Sequence, residues 1–256
     1  MPGVAGGLAL ASRLPLVLWR VARLVLHVLH GMAVMALRFP SLDAAGRQAR
    51  IQWWSAGLLR AIGVGLQVQG TPRPGATLLV ANHVSWLDIA ALHAAVPQAR
   101  FVSKADVRRW PLLGWLVAGA GTLFIERERK RDALRVVHAM ADALRAGETV
   151  AVFPEGTTGP GPALLPFHAN LIQAAISAHA PAQPVALQFI DGASGQPSLA
   201  PIYVDDQTLV GSVWRTLTTP GLRAVVRYGQ PQPSGGRERR AWAAELRAAV
   251  SALRDA

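Results

Sequence analysis

The sequence predicts an α/β protein: a mixed, largely parallel sheet covered by helices, preceded by an N-terminal pair of amphipathic, membrane-binding helices. Three observations carry this expectation. From about residue 76 onward, short apolar runs alternate with stretches of helical periodicity, the pattern of a sheet covered on both faces. Two of those runs end in polar segments, residues 82–88 (Asn-His-Val-Ser-Trp-Leu-Asp) and 153–159 (Phe-Pro-Glu-Gly-Thr-Thr-Gly). Open α/β sheets bind ligands at such strand ends. Apolar residues make up 51% of the 256 and charged residues only 16%, so a large core can form in one principal domain.

The N-terminal helices come first. Residues 14–37 are long enough to span a bilayer, but Arg20, Arg23, His27 and His30 interrupt them. An arginine at the centre of a span costs about 2.5–3.5 kcal/mol. At about 100° per residue, Arg13, Arg20, Arg23, His27, His30 and Arg38 fall within an arc of roughly 100°. Leu, Val, Ala, Met and Trp occupy the rest of the circumference. That distribution predicts a helix lying in a membrane interface, its basic stripe toward headgroups and its apolar face among acyl chains; a pair of ordinary helices packed on the core with solvated arginines is the alternative. Residues 47–62 form a second amphipathic candidate with Arg47, Arg50, Arg60 and the pair Trp53-Trp54, a common interfacial anchor. The expected division is therefore residues 1–65 as membrane-associating helices and 66–256 as the α/β domain. The basic residues begin only after the first ten positions, and no small-x-small site follows a short apolar core, so a cleaved signal is not expected.

After Gly63 the texture changes. Residues 70–75 (Gly-Thr-Pro-Arg-Pro-Gly) read as a turn-rich linker. Strands are expected at 76–81, 100–103, 122–125, 150–153, 184–189 and 222–228, each a short run rich in apolar and β-branched residues. Helices are expected from the first strand to about residue 95, at 110–120 with Pro111 in the first turn, and at 132–146 with Gly147 as the stop. Two more follow at 167–178 and, as a terminal amphipathic helix, at 237–253.

Lys and Arg number 26 against 15 Asp and Glu, a formal charge of +11. This excess attracts a polyanion, either nucleic acid or anionic lipid. The basic residues are striped opposite an apolar face rather than clustered with aromatics, which favours an anionic membrane surface. A basic nucleic-acid-binding protein is the alternative of another class. With no cysteine, structural disulfides, Cys-ligated zinc and a thiol nucleophile are excluded. No cofactor or metal is expected.

His83 follows a buried strand candidate, with Asp88 five positions on. The two side chains meet if His83 sits in the turn and Asp88 in the first helical turn. A carboxylate on one ring nitrogen fixes the tautomer and leaves the other nitrogen to take a proton. That is the base half of a catalytic triad. No Gly-x-Ser-x-Gly elbow supplies a serine, and Ser85 lies too close in sequence to be favoured as nucleophile. The group activated would then belong to a substrate. A capping or core histidine would show the same spacing. In the second segment Pro154 and Gly156 flank Glu155, which suits a tight turn whose amides hold an anion or oxyanion; a plain connection from strand to helix is the alternative.

Together these segments resemble the glycerophospholipid acyltransferase family, specifically its bacterial 1-acylglycerol-3-phosphate acyltransferases. Residues 82–88 match the first motif of that family, 123–127 (Leu-Phe-Ile-Glu-Arg) its second, 153–157 its third and 184–187 (Pro-Val-Ala-Leu) its fourth. The resemblance implies His83 as general base and Asp88 as its partner, with Asn82, Ser85 and Pro154 in supporting positions. It implies Arg127, Lys104, Glu155, Gly156, Thr157 and Thr158 as substrate-binding. It further implies transfer of an acyl group from acyl carrier protein or coenzyme A to the free hydroxyl of 1-acylglycerol-3-phosphate, giving phosphatidic acid. The enzyme would work at the inner membrane with its site facing the cytoplasm. One departure bears on the substrate: the third motif usually continues Thr-Arg-Ser, and here Thr158 and Gly159 stand at the last two places. Relatives with Glu-Gly-Thr-Thr and a following Leu-Pro-Phe (here residues 165–167) include enzymes that acylate lyso-ornithine lipid. A lyso-aminolipid acceptor is therefore the alternative within the same chemistry.

Overall fold

The computed structural model describes residues 3–104, 113–125, 130–204 and 208–256. Helix α1 (Gly3–Leu37) is followed by α2 (Ala44–Ala61). The Asp43 carboxylate starts α2 by accepting from Gly46 N at 2.8 Å, and Gly63, at φ +82°, turns the chain beyond its end. The sheet region runs β1 (Gly65–Gln69), β2 (Thr77–Ala81), α3 (Asp88–Ala95), β3 (Arg100–Lys104), α4 (Leu113–Gly119) and β4 (Leu123–Ile125). It continues with α5 (Lys130–Arg145), β5 (Thr149–Val152), α6 (Ala169–Ser177) and β6 (Ala182–Asp191). The chain closes with α7 (Leu209–Thr218), β7 (Leu222–Tyr228) and α8 (Arg239–Arg254).

The sheet order is β1-β7-β6-β2-β5-β3-β4. Only the β6–β7 pairing is antiparallel, so the mixed, largely parallel sheet expected from the sequence is present. Strand alternation divides the core in two. Leu79 and Ala81 of β2 join Ala151 of β5, Leu92 of α3 and Leu59 of α2 on one face. Leu78 and Val80 of β2 join Val150, Met140, Ile172 and Trp242 on the other, under α5, α6 and α8. The chain leaves β2 and β5 toward opposite faces, so the crevice between these neighbours is a switch point, the usual ligand position in such sheets.

Two elements were not expected from the sequence. β1 contains two glutamines and lies at the sheet edge, half exposed, so it carries no apolar run. α7 contains Gly211 and several β-branched residues, poor helix formers in isolation. Thr208 accepts from Gly211 N at 3.0 Å to start it, and Ser212, Thr216 and Leu217 are buried against the core.

The orientation of α1 corrects the expected basic stripe facing headgroups at two of its residues, Arg20 and His27. Arg20 is only 7% exposed, and its Nη1 donates to Leu217 O at 2.6 Å and Thr219 O at 3.0 Å. Arg13 Nη1 donates to Thr218 O at 3.3 Å. These carbonyls lie at the C-terminal end of α7, where helix geometry leaves acceptors unpaired and the macrodipole favours a cation. Further along, His27 Nε2 donates to Trp54 O at 2.8 Å. The His27 ring occupies the space a side chain at Gly57 would need, and Trp54 does the same at Gly31. Arg20 and His27 thus face α7 and α2, while Leu18, Trp19, Leu26, Leu29 and Leu37 are exposed. Arg13, Arg23, His30 and Arg38 remain at the surface.

Replacing Arg20 by Leu would leave the Leu217 and Thr219 carbonyls without their donor. The expected result is a loss of about 1–3 kcal/mol, read as a lower denaturation midpoint in detergent. An unchanged midpoint would mean that α1 does not depend on this contact.

Candidate active site

The two polar segments lie side by side because β2 and β5 are neighbours. Where β2 ends, Asn82 continues its pairing with β6 through a side chain. Its Nδ2 donates to Leu187 O at 2.9 Å, and Leu187 N donates to its Oδ1 at 2.7 Å. The amide is fully buried and bonded on both sides, which lets the main chain turn away from the sheet without unpaired backbone groups.

The turn is built around one carboxylate oxygen. Asp88 Oδ2 accepts from His83 Nδ1 at 2.8 Å, Val84 N at 2.7 Å and Ser85 N at 2.9 Å. Asp88 is fully buried and opens α3, whereas the His83 side chain keeps 21% of its surface. His83 in the turn and Asp88 in the first helical turn is the arrangement the spacing required. Nδ1 is committed to the carboxylate, which leaves Nε2 as the ring nitrogen outside this bond. Ser85 is buried, and its Oγ donates to Pro201 O at 2.7 Å and accepts from Leu87 N. It holds the turn to a distant loop.

Glu155 is 4% exposed, and both its oxygens accept backbone amides. Oε1 takes His83 N and Oε2 takes Leu165 N, each at 2.8 Å. Burial pushes its carboxyl above the usual range, while these two amides and the neighbouring His83 pull the other way. Gly159 N donates to His83 O at 2.6 Å. A Cβ at Gly159 would sit 2.9 Å from Glu155 Oε2, which gives a packing reason for glycine there. Thr158 Oγ1 donates to Tyr203 O, and Tyr203 N donates to Val84 O at 3.4 Å. Gly156, at φ +74°, makes the tight turn after Pro154, and Thr157 is exposed beside it.

Phe153 adds a contact the sequence reading missed. Its ring stacks on His83 with centroids 4.3 Å apart and planes 17° from parallel. Phe101 lies behind it at 5.9 Å, and His93 meets Phe101 edge-on at 4.6 Å. Phe153 opens the second segment, but nothing in one dimension shows which neighbouring turn it would face. Of the other expected site residues, Lys104 ends β3, in register with Ile125 of β4. Arg127 lies outside the described residues. Among the described residues no cluster of three or more His, Asp or Glu side chains could hold a metal ion.

Comparison with known proteins adds an independent line. Residues 66–188 match the family model described as Acyltransferase. The chain is 37% identical over 245 residues to the lyso-ornithine lipid O-acyltransferase of Pseudomonas aeruginosa, covering 93% of each sequence. It is 41% identical over 175 residues to the 1-acyl-sn-glycerol-3-phosphate acyltransferase of Neisseria meningitidis, covering 67% of each. The crystal structure of the 1-acyl-sn-glycerophosphate acyltransferase of Thermotoga maritima superposes with a TM-score of 0.72 over 96% of both chains at 19% identity, a likeness of fold.

The geometry generates two predictions. Glu155→Gln places an NH2 group against one of two backbone N–H donors. It is expected to destabilise the fold by about 1–3 kcal/mol, measured by chemical denaturation. His93 is buried, with its pKa lowered to about 4 by desolvation, so the folded protein holds it neutral. Below its ordinary value of 6.5 the unfolded chain takes up a proton that the folded chain refuses. Its contribution is therefore complete above pH 6.5 and is lost as pH falls toward 4, about 3 kcal/mol in all. His93→Leu should flatten the denaturation midpoint across that window, and an equally steep profile would assign the acid sensitivity elsewhere.

Proposed function

Because the chain belongs to the acyltransferase family, we propose that it esterifies the free hydroxyl of a lysolipid with an acyl group taken from acyl carrier protein or coenzyme A, using His83 as general base. The observation that carries this reading is the 2.8 Å bond from His83 Nδ1 to the buried Asp88, which leaves Nε2 as the proton acceptor. Nε2 removes the hydroxyl proton as the lipid oxygen attacks the thioester carbonyl. Asp88 stabilises the imidazolium that forms. Collapse of the tetrahedral intermediate forms the ester and expels the thiolate, which takes the proton back from Nε2. No acyl-enzyme is required, consistent with a site that contains no cysteine and a Ser85 already bonded in the turn. Backbone amides of the turn after β5 are suited to the developing oxyanion.

Roles follow for the neighbouring residues. Phe153 and Glu155 position His83, one through its ring and the other through its amide. Asn82, Pro154, Gly156 and Thr157 shape the turns, and Lys104 and Arg127 are candidate partners for an anionic headgroup. Residues 1–65 form the membrane-associating part. One helix among the described residues, Arg13–Leu37, is long and apolar enough to cross a membrane, with mean hydropathy 1.4. Its exposed leucines and Trp19 are suited to acyl chains of the inner membrane, with the site toward the cytoplasm. Between the acceptors, Thr158 in place of an arginine favours a lyso-ornithine lipid, in line with the relative matched over 93% of the chain. Acylglycerol phosphate is the second reading, supported by the match of the second motif through Arg127.

Purified protein supplied with an acyl thioester and either lysophosphatidic acid or lyso-ornithine lipid tests both points. The expected product is the acylated ornithine lipid. His83→Ala should lower kcat about 10²–10⁴-fold, the usual range for a general base. Undiminished transfer by that variant would remove His83 from the mechanism.

A further inference from the structure

A cavity of about 190 Å³ opens beside the catalytic turn, over β6, which flanks β2 on the side opposite β5. Val84, the residue after His83, forms part of its wall with Pro162, Leu187 and Phe189. The cavity also reaches Arg254, the last residue of α8, and Asp255. This is too little space for a long acyl chain and below the usual range for drug-sized ligands, about 300–1,000 Å³. A small headgroup is the size that fits.

The charged pair determines which headgroup. Arg254 Nη1 donates to Gly161 O at 2.9 Å, which anchors the guanidinium to the loop that follows the second polar segment. Its Nε and Nη2 lie 3.4 Å and 3.5 Å from Asp255 Oδ1, longer than the 2.7–2.9 Å of a well-made charge-assisted bond. The Arg254 side chain is 12% exposed and that of Asp255 65%. Both therefore keep hydrogen-bonding capacity, one as a planar cation and the other as an accessible carboxylate. Their formal charges cancel. A ligand with a carboxylate and an ammonium finds a partner for each, whereas a phosphate monoester must place its charge beside Asp255.

Resting on the lyso-ornithine reading above, we propose that this cavity is the headgroup subsite: Arg254 receives the α-carboxylate of the acceptor and Asp255 its δ-ammonium. An ornithine whose α-amine is tied up in an amide carries those two charges and no others. Val84 directly follows His83, and Gly159 N is bonded to His83 O. A headgroup held here therefore lies beside the turn that presents the base. The subsite also gives a physical account of Thr158: recognition that uses Arg254 and Asp255 has no need of a phosphate-binding arginine at that place.

The test compares acceptors that differ by one charge, at a saturating acyl thioester. N-(3-hydroxyacyl)-ornithine is set against the putrescine amide, which lacks the carboxylate, and the norvaline amide, which lacks the ammonium. With the unaltered protein, KM should rise about tenfold or more for each deletion, the usual worth of a hydrogen bond to a charged group. In Arg254→Gln the KM ratio between the putrescine and ornithine acceptors should collapse toward one, and in Asp255→Asn the norvaline ratio should do the same. A purely structural role for Arg254, through its bond to Gly161 O, would lower kcat for every acceptor and leave the ratio standing, which would overturn the proposal. Turnover of lysophosphatidic acid with none of the ornithine acceptor would remove the acceptor reading and the subsite together. Turnover of the ornithine acceptor with KM values indifferent to charge would remove the subsite alone.

Discussion

One buried carboxylate oxygen organises the site. Asp88 Oδ2 accepts the His83 ring and the amides of Val84 and Ser85, so a single carboxylate at the first residue of α3 turns the chain and orients the imidazole. Burying an anion is tolerable only when it is hydrogen-bonded; three donors meet that condition at Oδ2, while Oδ1 is buried without a partner. Because the carboxylate takes backbone amides as well as the imidazole, the loop and the tautomer are set by the same atom. Any movement of α3 relative to β2 would disturb both together.

A second buried carboxylate joins the two segments. Glu155 reaches from the end of β5 to the amide of His83 and to that of Leu165, tying the neighbouring strand ends and the long loop after them into one unit. The loop is fixed from its far side by Arg247, which donates to Leu164 O and Leu165 O, and by Arg254. Residues of the terminal helix thereby share in shaping the surface next to His83. In the proposed mechanism the enzyme needs no nucleophile of its own, and the architecture matches that economy: its acidic groups are spent on orientation.

The N-terminal helix shows how a correct element can be read with part of its polar arc facing the wrong way. Its arc of basic residues was visible in the sequence, and interfacial helices direct such arcs toward headgroups. Here the buried Arg20 and the half-buried His27 are turned into the protein. The physical reason is the unpaired carbonyl set at the end of α7, a helix whose glycine and β-branched residues concealed it. Without α7 in view, nothing indicated that a partner for Arg20 existed. The apolar face left outside is the one that the proposed membrane contact would use.

The sequence by itself determined the alternation of strands and helices, the position of the two polar segments at strand ends, and the spacing that lets His83 meet Asp88. These are local properties, governed by hydrophobic period, turn residues and the reach of a side chain over five positions. Tertiary structure decided that Glu155 would bond the amide of His83 across 72 positions and that Phe153 would stack on its ring. It also decided that Arg20 would reach α7 across 197. Such contacts depend on which strands become neighbours and which helix ends lack partners, and neither is encoded within the span of a motif. Thr158 lies between these limits. Its departure from the family pattern is legible in one dimension, while the placement of the consecutive residues Arg254 and Asp255 at the cavity lined by Val84 comes only through the fold.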